Sequence, residues 1–132
     1  MASDESPDFF ALLTILARHQ VEFILVGGLC AVVHGAPVVT TDVDIVHHRT
    51  PENIARLLHA LEELEAIFRH HPHAITPKES HLQGTGHQLL RTKAGNLDVL
   101  GTIDQGRTYQ DLLAFTQMVE LEENRYMVLS LE

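Results

Sequence analysis

The sequence predicts an α/β domain in which a mixed, mostly antiparallel sheet is flanked by helices. Two long stretches repeat apolar residues at helical spacing, which favours amphipathic helices that pack on a sheet. Short runs rich in β-branched residues lie between and after them, and several of these runs are paired closely enough to form hairpins. The length of 132 residues suits one domain, so we expect residues 1–132 to form a single unit.

The first third of the chain predicts a helix, a strand and a glycine turn. The letters SPD before FFALLTILARH are typical of an N-capped helix with proline at its first position. The run VEFILVGG predicts a central strand that stops at Gly27. LCAVVHG then resumes a helical pattern up to Gly35, because the Ala-Pro pair that follows cannot easily continue a helix.

The remainder predicts a second strand, a second long helix and two hairpins. VDIVHH is strand-like, and Thr50 opens the helical pattern IARLLHALEELEAIF, which we expect to extend to Phe68. The stretch from Arg69 to Gln83 is rich in histidine, proline and polar residues and predicts a loop with room for a short helical turn. HQLLRTK and NLDVLG predict one hairpin, TYQDLLAF a helix, and TQMVELEE with RYMVLSLE a last hairpin.

Composition narrows the classes of function. The formal charge of −9, with only two lysines, argues against non-specific binding to nucleic-acid phosphates but is compatible with a nucleotide held through metal. No apolar run approaches the roughly 20 residues of a membrane helix. The acidic N-terminus lacks the pattern of a signal peptide, so we expect a cytoplasmic protein. Cys30 is the only cysteine, which excludes an intrachain disulfide.

The stretch TTDVDIV carries two carboxylates inside an apolar, β-branched run. Asp42 and Asp44 are two positions apart and therefore share one face of a strand. Two like charges repel and lose hydration unless something positive lies between them. Three carboxylates, counting Asp98 in a later apolar strand, would suit Mg²⁺ or Mn²⁺, which prefer oxygen ligands. Gly27 and Gly28 would let backbone N–H groups approach a phosphate closely.

These residues resemble the nucleotidyltransferase superfamily, which has the polymerase-beta-like fold. Its signature is an apolar residue, Gly, and Gly or Ser, followed about ten or more residues later by Asp, an apolar residue and Asp. Val26–Gly28 supplies the first half, Asp42–Ile45 the second, and Asp98 in NLDVL matches the later strand carboxylate. The segments from HGAPVVTTDVDIV to VLSLE are similar to a small prokaryotic subgroup of uncharacterised or toxin-like nucleotidyltransferases.

The resemblance implies the minimal fold of that superfamily and the transfer of a nucleoside monophosphate from a nucleoside triphosphate to an acceptor hydroxyl. By similarity, two divalent cations, Mg²⁺ or Mn²⁺, would be held by three catalytic carboxylates: Asp42, Asp44 and Asp98. Asp98 could also accept the proton of the attacking hydroxyl. The nucleotide-binding candidates are Gly27, Gly28 and Thr41. The acceptor stays open between RNA, a protein and a small molecule such as an antibiotic.

Two departures from the subgroup favour an alternative function. Val38 stands where relatives often carry a basic residue, and the chain ends at Glu132 where relatives tend to continue into a helix bearing lysine. A domain lacking that C-terminal helical extension would need a partner or a second subunit to supply positive charge. The alternative is therefore a catalytically idle binding module, for example one member of a toxin–antitoxin pair.

Each of these residues can also be interpreted without a catalytic or binding role. Asp42 and Asp44 could be solvated at a strand end, Asp98 could face the surface, and the two glycines could form an ordinary tight turn. The histidines of HHPH and of His47-His48 lack zinc-site spacing, so we expect solvated loop positions. Arg91 and Lys93 are candidate phosphate contacts if they face the cleft.

Overall fold

The computed structural model describes residues 8–37 and 40–130, which form one mixed sheet covered by helices. Its helices are α1 Phe9–Arg18, α2 Gly27–Val33, α3 Pro51–Glu63, α4 Glu79–Gln83 and α5 Tyr109–Leu112, followed by a 3-10 turn at Leu113–Phe115. Its strands are β1 Phe23–Val26, β2 Asp42–His47, β3 Ile67–Phe68, β4 His87–Thr92, β5 Gly95–Leu100, β6 Thr116–Leu121 and β7 Asn124–Leu129. The departures at Val38 and Glu132, and the Ser-Pro pair before Asp8, lie outside the described residues.

The sheet has seven strands in the order β3-β4-β5-β2-β1-β7-β6. Strand β2 pairs in parallel with β5, and β1 pairs in parallel with β7. The other neighbouring pairs are antiparallel, including the hairpins β4–β5 and β6–β7. The predicted fold class is therefore confirmed, and the two parallel pairings bring segments far apart in sequence to the centre of the sheet.

Helix α1 begins at Phe9, two residues later than the predicted start with proline at the first helical position. The Asp8 carboxylate caps it by accepting a hydrogen bond from the backbone N–H of Ala11 at 3.0 Å, which satisfies one of the orphan donors of the first turn. The apolar stripe Leu12, Leu13 and Leu16 is fully buried. The stripe packs into the main core, between α1, α3 and one face of the sheet.

Helix α3 begins at its predicted cap but ends earlier than predicted. Thr50 accepts a hydrogen bond from the N–H of Asn53, and Pro51 occupies the first turn. The helix stops at Glu63, because Glu65 adopts a left-handed φ of 57° and breaks the helical geometry. Ile67–Phe68 then joins the sheet as β3 beside β4. The prediction of a helix as far as Phe68 was wrong for these last residues.

The segment from Arg69 to Gln83 is irregular apart from the short helix α4, as predicted. Leu82 is fully buried and anchors it. The backbone carbonyl of Leu82 lies 2.7 Å from Nε2 of His47. His47 itself is in β2 and is 1% exposed, so the expectation that it is a solvated loop residue was wrong. Burial lowers the pKa of His47, because the charged imidazolium loses hydration.

The opposite face of the sheet carries a second, smaller apolar cluster. Ile24, Val26, Val46 and Leu100 pack there against Tyr109 and Leu112 of α5. The predicted helix TYQDLLAF is thus confirmed in part, as one α-helical turn followed by a 3-10 turn. No helix within the described ranges is long and apolar enough to cross a membrane.

Candidate active site

The sheet brings the three predicted carboxylates onto one face. In the parallel pairing of β2 with β5, Asp44 lies opposite Asp98 and Asp42 lies opposite Asn96. Cross-strand partners share a face, and successive residues alternate between faces. Val43 and Ile45 point into the main core, so the aspartates point the other way. Two positions of a local motif and one residue far along the chain thus meet at the centre of the sheet.

Of the three carboxylates, Asp44 has the environment that is least favourable for a charged side chain. Its Oδ1 atom is buried and has no hydrogen-bond partner among the described residues. Burial, followed by the contact with the Asp98 carboxyl and the charges of Asp98 and Asp42, raises the pKa of Asp44 to about 6, although the charge of Arg69 opposes the shift. A buried carboxylate of this kind is stabilised by a cation or by a proton.

The glycine turn consists of Gly27 and Gly28, which are the first residues of α2. It packs directly against the strand that carries the aspartates. Gly27 has a φ of 73°, and a Cβ atom there would collide with Oδ2 of Asp44. A Cβ on Gly28 would lie 2.6 Å from Oγ1 of Thr40. Only glycine leaves room for Asp44 at this left-handed position. The predicted proximity of the turn to the carboxylates is therefore present in the structure.

Arg69 is a site residue that sequence reasoning missed. Its Nη2 donates to Oδ1 of Asp98 at 2.7 Å, and its Nη1 donates to the backbone carbonyl of Leu90 at 2.9 Å. The side chains of the ion pair are only 12% and 15% exposed. The sequence places Arg69 at the start of a polar loop. The one signal for its position is the apolar pair Ile67–Phe68 just before it, which forms β3. A strand of two residues is too short to show the alternation of apolar and polar residues that identifies a strand.

Asp42 has polar neighbours of its own. Asn96 donates a hydrogen bond from Nδ2 to Oδ1 of Asp42 at 3.2 Å. The Oγ1 of Thr40 donates to the carbonyl of Asp42 at 2.9 Å. Thr40, rather than Thr41, is thus the threonine that packs against Gly28. Thr41 has an exposed side chain just before β2, and its role in nucleotide binding stays a prediction.

Two further residues border the carboxylates on β4. Arg91 pairs with Asn96, so it shares the face of Asp42 and is exposed there. Leu89 pairs with Asp98 and is 36% exposed. Lys93 lies in the turn after β4 rather than in the strand. Of the two predicted phosphate contacts, Arg91 is therefore the one that the strand register places on the carboxylate face.

The donor set fits a hard divalent cation at two of the three carboxylates. Asp44 has a buried oxygen without a partner among the described residues, and its other oxygen occupies the space that a Cβ of Gly27 would take. Asp42 shares that face, whereas Asp98 is already bound by Arg69. Across residues 8–37 and 40–130, no group of three His, Cys, Asp or Glu side chains is arranged to hold a metal ion. A cation on Asp42 and Asp44 would complete its shell with water and phosphate oxygens.

The histidines lie apart from this face or in exposed positions. His70, His71 and His73 are exposed in the segment after β3. His48 stacks on Tyr109 with ring centroids 4.6 Å apart, and its Nδ1 lies 2.8 Å from Oε1 of Glu22. These contacts indicate that His48 is a packing residue. It directly follows β2, at the end of the strand opposite to Asp42.

The fold is similar to two solved structures. One is TM1012 of Thermotoga maritima, a presumed nucleotidyltransferase, with a TM-score of 0.59 and 19% identity over 93% of this chain and 77% of that one. The other is the lincosamide antibiotic adenylyltransferase LnuA, bound to lincomycin, with a TM-score of 0.61 and 16% identity over 92% of this chain and 78% of that one. No protein-family model and no curated protein matches the sequence significantly. At these identities the likeness shows the fold, which is the nucleotidyltransferase fold predicted from the motifs.

Proposed function

We propose that this protein is a metal-dependent nucleotidyltransferase that moves a nucleoside monophosphate from a nucleoside triphosphate to an acceptor hydroxyl. The observation that carries the proposal is the register of β2 and β5, which places Asp44 opposite Asp98 beside the turn at Gly27. Nucleotide transfer is also the activity named for both structural neighbours.

Each residue of the face has a chemical role in this proposal. Asp42 and Asp44 would hold Mg²⁺ or Mn²⁺, which supplies charge neutralisation at the phosphoryl oxygens when it is bound. Gly27 and Gly28 would let the backbone approach the triphosphate. Asp98 would accept the proton of the acceptor hydroxyl, a role that needs a carboxylate within hydrogen-bond reach.

The positive charge available for the phosphates comes from β4 and from the residue after β3. Arg91 is exposed on the carboxylate face and is free to contact a triphosphate from the side of Asp42. Arg69 lies on the side of Asp98. These guanidiniums would take over the task for which the subgroup often has a basic residue at the place of Val38.

The test is release of pyrophosphate from a nucleoside triphosphate with Mg²⁺ and a panel of acceptors that contains RNA, a protein mixture and a lincosamide. We expect release with one class of acceptor. The variants Asp42→Asn and Asp44→Asn should each lower it at least roughly 100-fold, because the cation that positions the phosphates loses a ligand.

The matched control for these variants is Asp104→Asn. Asp104 is 82% exposed and lies in a turn away from the sheet, so the same chemical change there should leave release unchanged. Retained activity in the Asp42→Asn/Asp44→Asn double variant would contradict the proposal.

A second candidate function is a catalytically idle binding module, such as one member of a toxin–antitoxin pair. The Arg69–Asp98 ion pair favours it, because the third carboxylate is already neutralised within the chain. Calorimetric titration with nucleoside triphosphate and Mg²⁺ separates the two functions. Metal-dependent binding in the micromolar range supports the enzyme, whereas no heat at millimolar ligand supports the module.

A further inference from the structure

We propose that Arg69 takes the place of a second metal ion, so that the carboxylate face binds one divalent cation, on Asp42 and Asp44, and leaves Asp98 for the acceptor. The assignment of Asp98 to the acceptor rests on the proposed function, but the number of bound cations does not. The inference concerns a residue that no motif identifies and a stoichiometry that differs from the two cations implied by the resemblance.

The first step is that Arg69 is fixed in position. Its backbone N–H donates to the carbonyl of Leu89 at 2.9 Å, and its guanidinium donates both to the carbonyl of Leu90 and to Asp98. The residue therefore stands beside the edge of β4 and reaches across it to β5. A side chain held at both its backbone and its guanidinium gives up little further entropy when it binds a carboxylate.

The second step is that the ion pair is shielded from water. Both side chains are less than one-sixth exposed, at 12% and 15%. A buried pair is screened less by salt than a surface pair, and a charge-assisted hydrogen bond of 2.7 Å is in the strong range. A metal ion would have to displace the guanidinium to use that oxygen of Asp98, which would leave a buried positive charge without its partner.

The third step is the balance of charge. Arg91 is exposed to solvent at the border of the face, where its charge is screened. The three carboxylates and the Arg69 guanidinium leave two negative charges, which one divalent cation neutralises. A second divalent cation would bring two uncompensated positive charges into a partly buried site before any phosphate arrives. Among the described residues, the buried oxygen without a partner belongs to Asp44, not to Asp98, so the carboxylate that lacks a compensating group lies on the side of β2.

The test counts Mn²⁺ bound to the full chain without nucleotide, by electron paramagnetic resonance of free Mn²⁺ and by calorimetry. We expect one Mn²⁺ per chain. Asp42→Asn and Asp44→Asn should weaken binding at least about tenfold, whereas Asp98→Asn, which removes a nearby charge but no ligand of the cation, should weaken it clearly less. Equal weakening in all three variants, or two Mn²⁺ ions in the unmodified chain, would overturn the inference.

Substitution of Arg69 provides the second arm of the test. Arg69→Gln should raise the count to two Mn²⁺ ions, because Asp98 is released, and Arg69→Lys should keep it at one. Arg49→Gln is the matched control, since Arg49 also donates to a backbone carbonyl, that of Gln83 at 3.0 Å, but lies at the other end of β2. If Arg69→Gln fails to fold by circular dichroism, the Asp98→Asn comparison decides alone.

The outcomes also separate this inference from the proposed function. One Mn²⁺ ion with no nucleotide transfer to any acceptor supports the inference and contradicts the function. Transfer with two Mn²⁺ ions supports the function and overturns the inference. No Mn²⁺ binding at millimolar concentration overturns the inference and favours the idle module.

Discussion

The carboxylate face of the sheet has two halves that differ in one respect. Along β2, Asp44 is followed two positions later by Val46, and along β5, Asp98 is followed by Leu100. These pairs are neighbours in the same register, yet Val46 and Leu100 are buried beneath α5 while the aspartates are not covered by it. The comparison teaches that the type of side chain differs between the two halves while the strand pairing is the same. Aliphatic residues lie where α5 covers the sheet, and carboxylates lie where α5 leaves it uncovered.

Moving a carboxylate into the covered half should have the largest effect. Val46 is fully buried beside Ile24 and Leu100, so Val46→Asp would place a charge there without a partner. We expect a loss of about 3–5 kcal/mol in the free energy of unfolding, measured by urea denaturation at pH 7.5. Val46→Thr, with the same shape and no charge, should lose clearly less. A loss below about 1 kcal/mol for the aspartate would show that the halves tolerate charge equally.

Removing the cover should have the next largest effect. Leu112 is the last residue of α5 and is fully buried against the sheet, and Leu112→Ala should lower the free energy of unfolding by about 2–4 kcal/mol because a cavity remains. The matched control is Leu113→Ala, since Leu113 is the next residue and is 41% exposed. Denaturation curves that coincide for the two variants would mean that α5 contributes little to the covered half.

Removing a charge from the open half should stabilise the cation-free protein. Asp44 has a pKa raised from 3.8 to about 6, so the folded state holds the proton more tightly than the unfolded chain. The stability therefore falls as the pH rises from 3.8 to about 6 and stays low above that range. Asp44→Asn should gain about 1–2 kcal/mol at pH 7.5, and the gain should shrink towards pH 4.

Thermal unfolding in a chelating buffer at pH 4, 5 and 7.5 measures this gain. About 1 kcal/mol corresponds to a rise of roughly 3–5 °C in Tm for a domain of this size. The exposed Asp104→Asn is the control and should show no such trend. A gain that is the same at all three pH values would contradict its origin in the burial of Asp44 and in the neighbouring like charges.

The smallest effect is expected at the border of the open half. Leu89 is 36% exposed opposite Asp98, and Leu89→Gln should change the free energy of unfolding by less than about 0.5 kcal/mol. Leu90, the next residue, points into the main core and is fully buried. Leu90→Gln should therefore cost several times more in the same urea experiment. Similar costs at both positions would mean that β4 does not alternate as described.

The sequence predicted the elements whose signals are local. The cap at Thr50 and the apolar stripes of α1 and α3 were predicted correctly, because each signal spans only a few residues, whereas α1 begins two residues later than predicted, with Asp8 as its cap. The end of α3 was misplaced, since Ile67 and Phe68 continue the apolar spacing of a helix while they belong to an edge strand. Only the pairing of β3 with β4 decides that question, and pairing between distant segments leaves no trace in periodicity.

The same distinction explains the site. The glycine turn and the motif around Asp42 and Asp44 are local and were predicted. Asp98 was predicted through the resemblance, because an isolated aspartate in a strand carries no signal of its own. Arg69 was missed, since its role depends on β3 lying beside β4 and β4 beside β5. Local patterns thus identified one side of the face, and the order of strands supplied the other.

The parallel pairing of β2 with β5 has a consequence for how the protein folds. The chain forms α3, β3, α4 and β4 between these two strands, so a long loop must close before Asp44 and Asp98 meet. A fragment that ends before β4 would contain the glycine turn and two of the aspartates but would lack the partner strand. The site is therefore a product of the whole sheet rather than of any one segment.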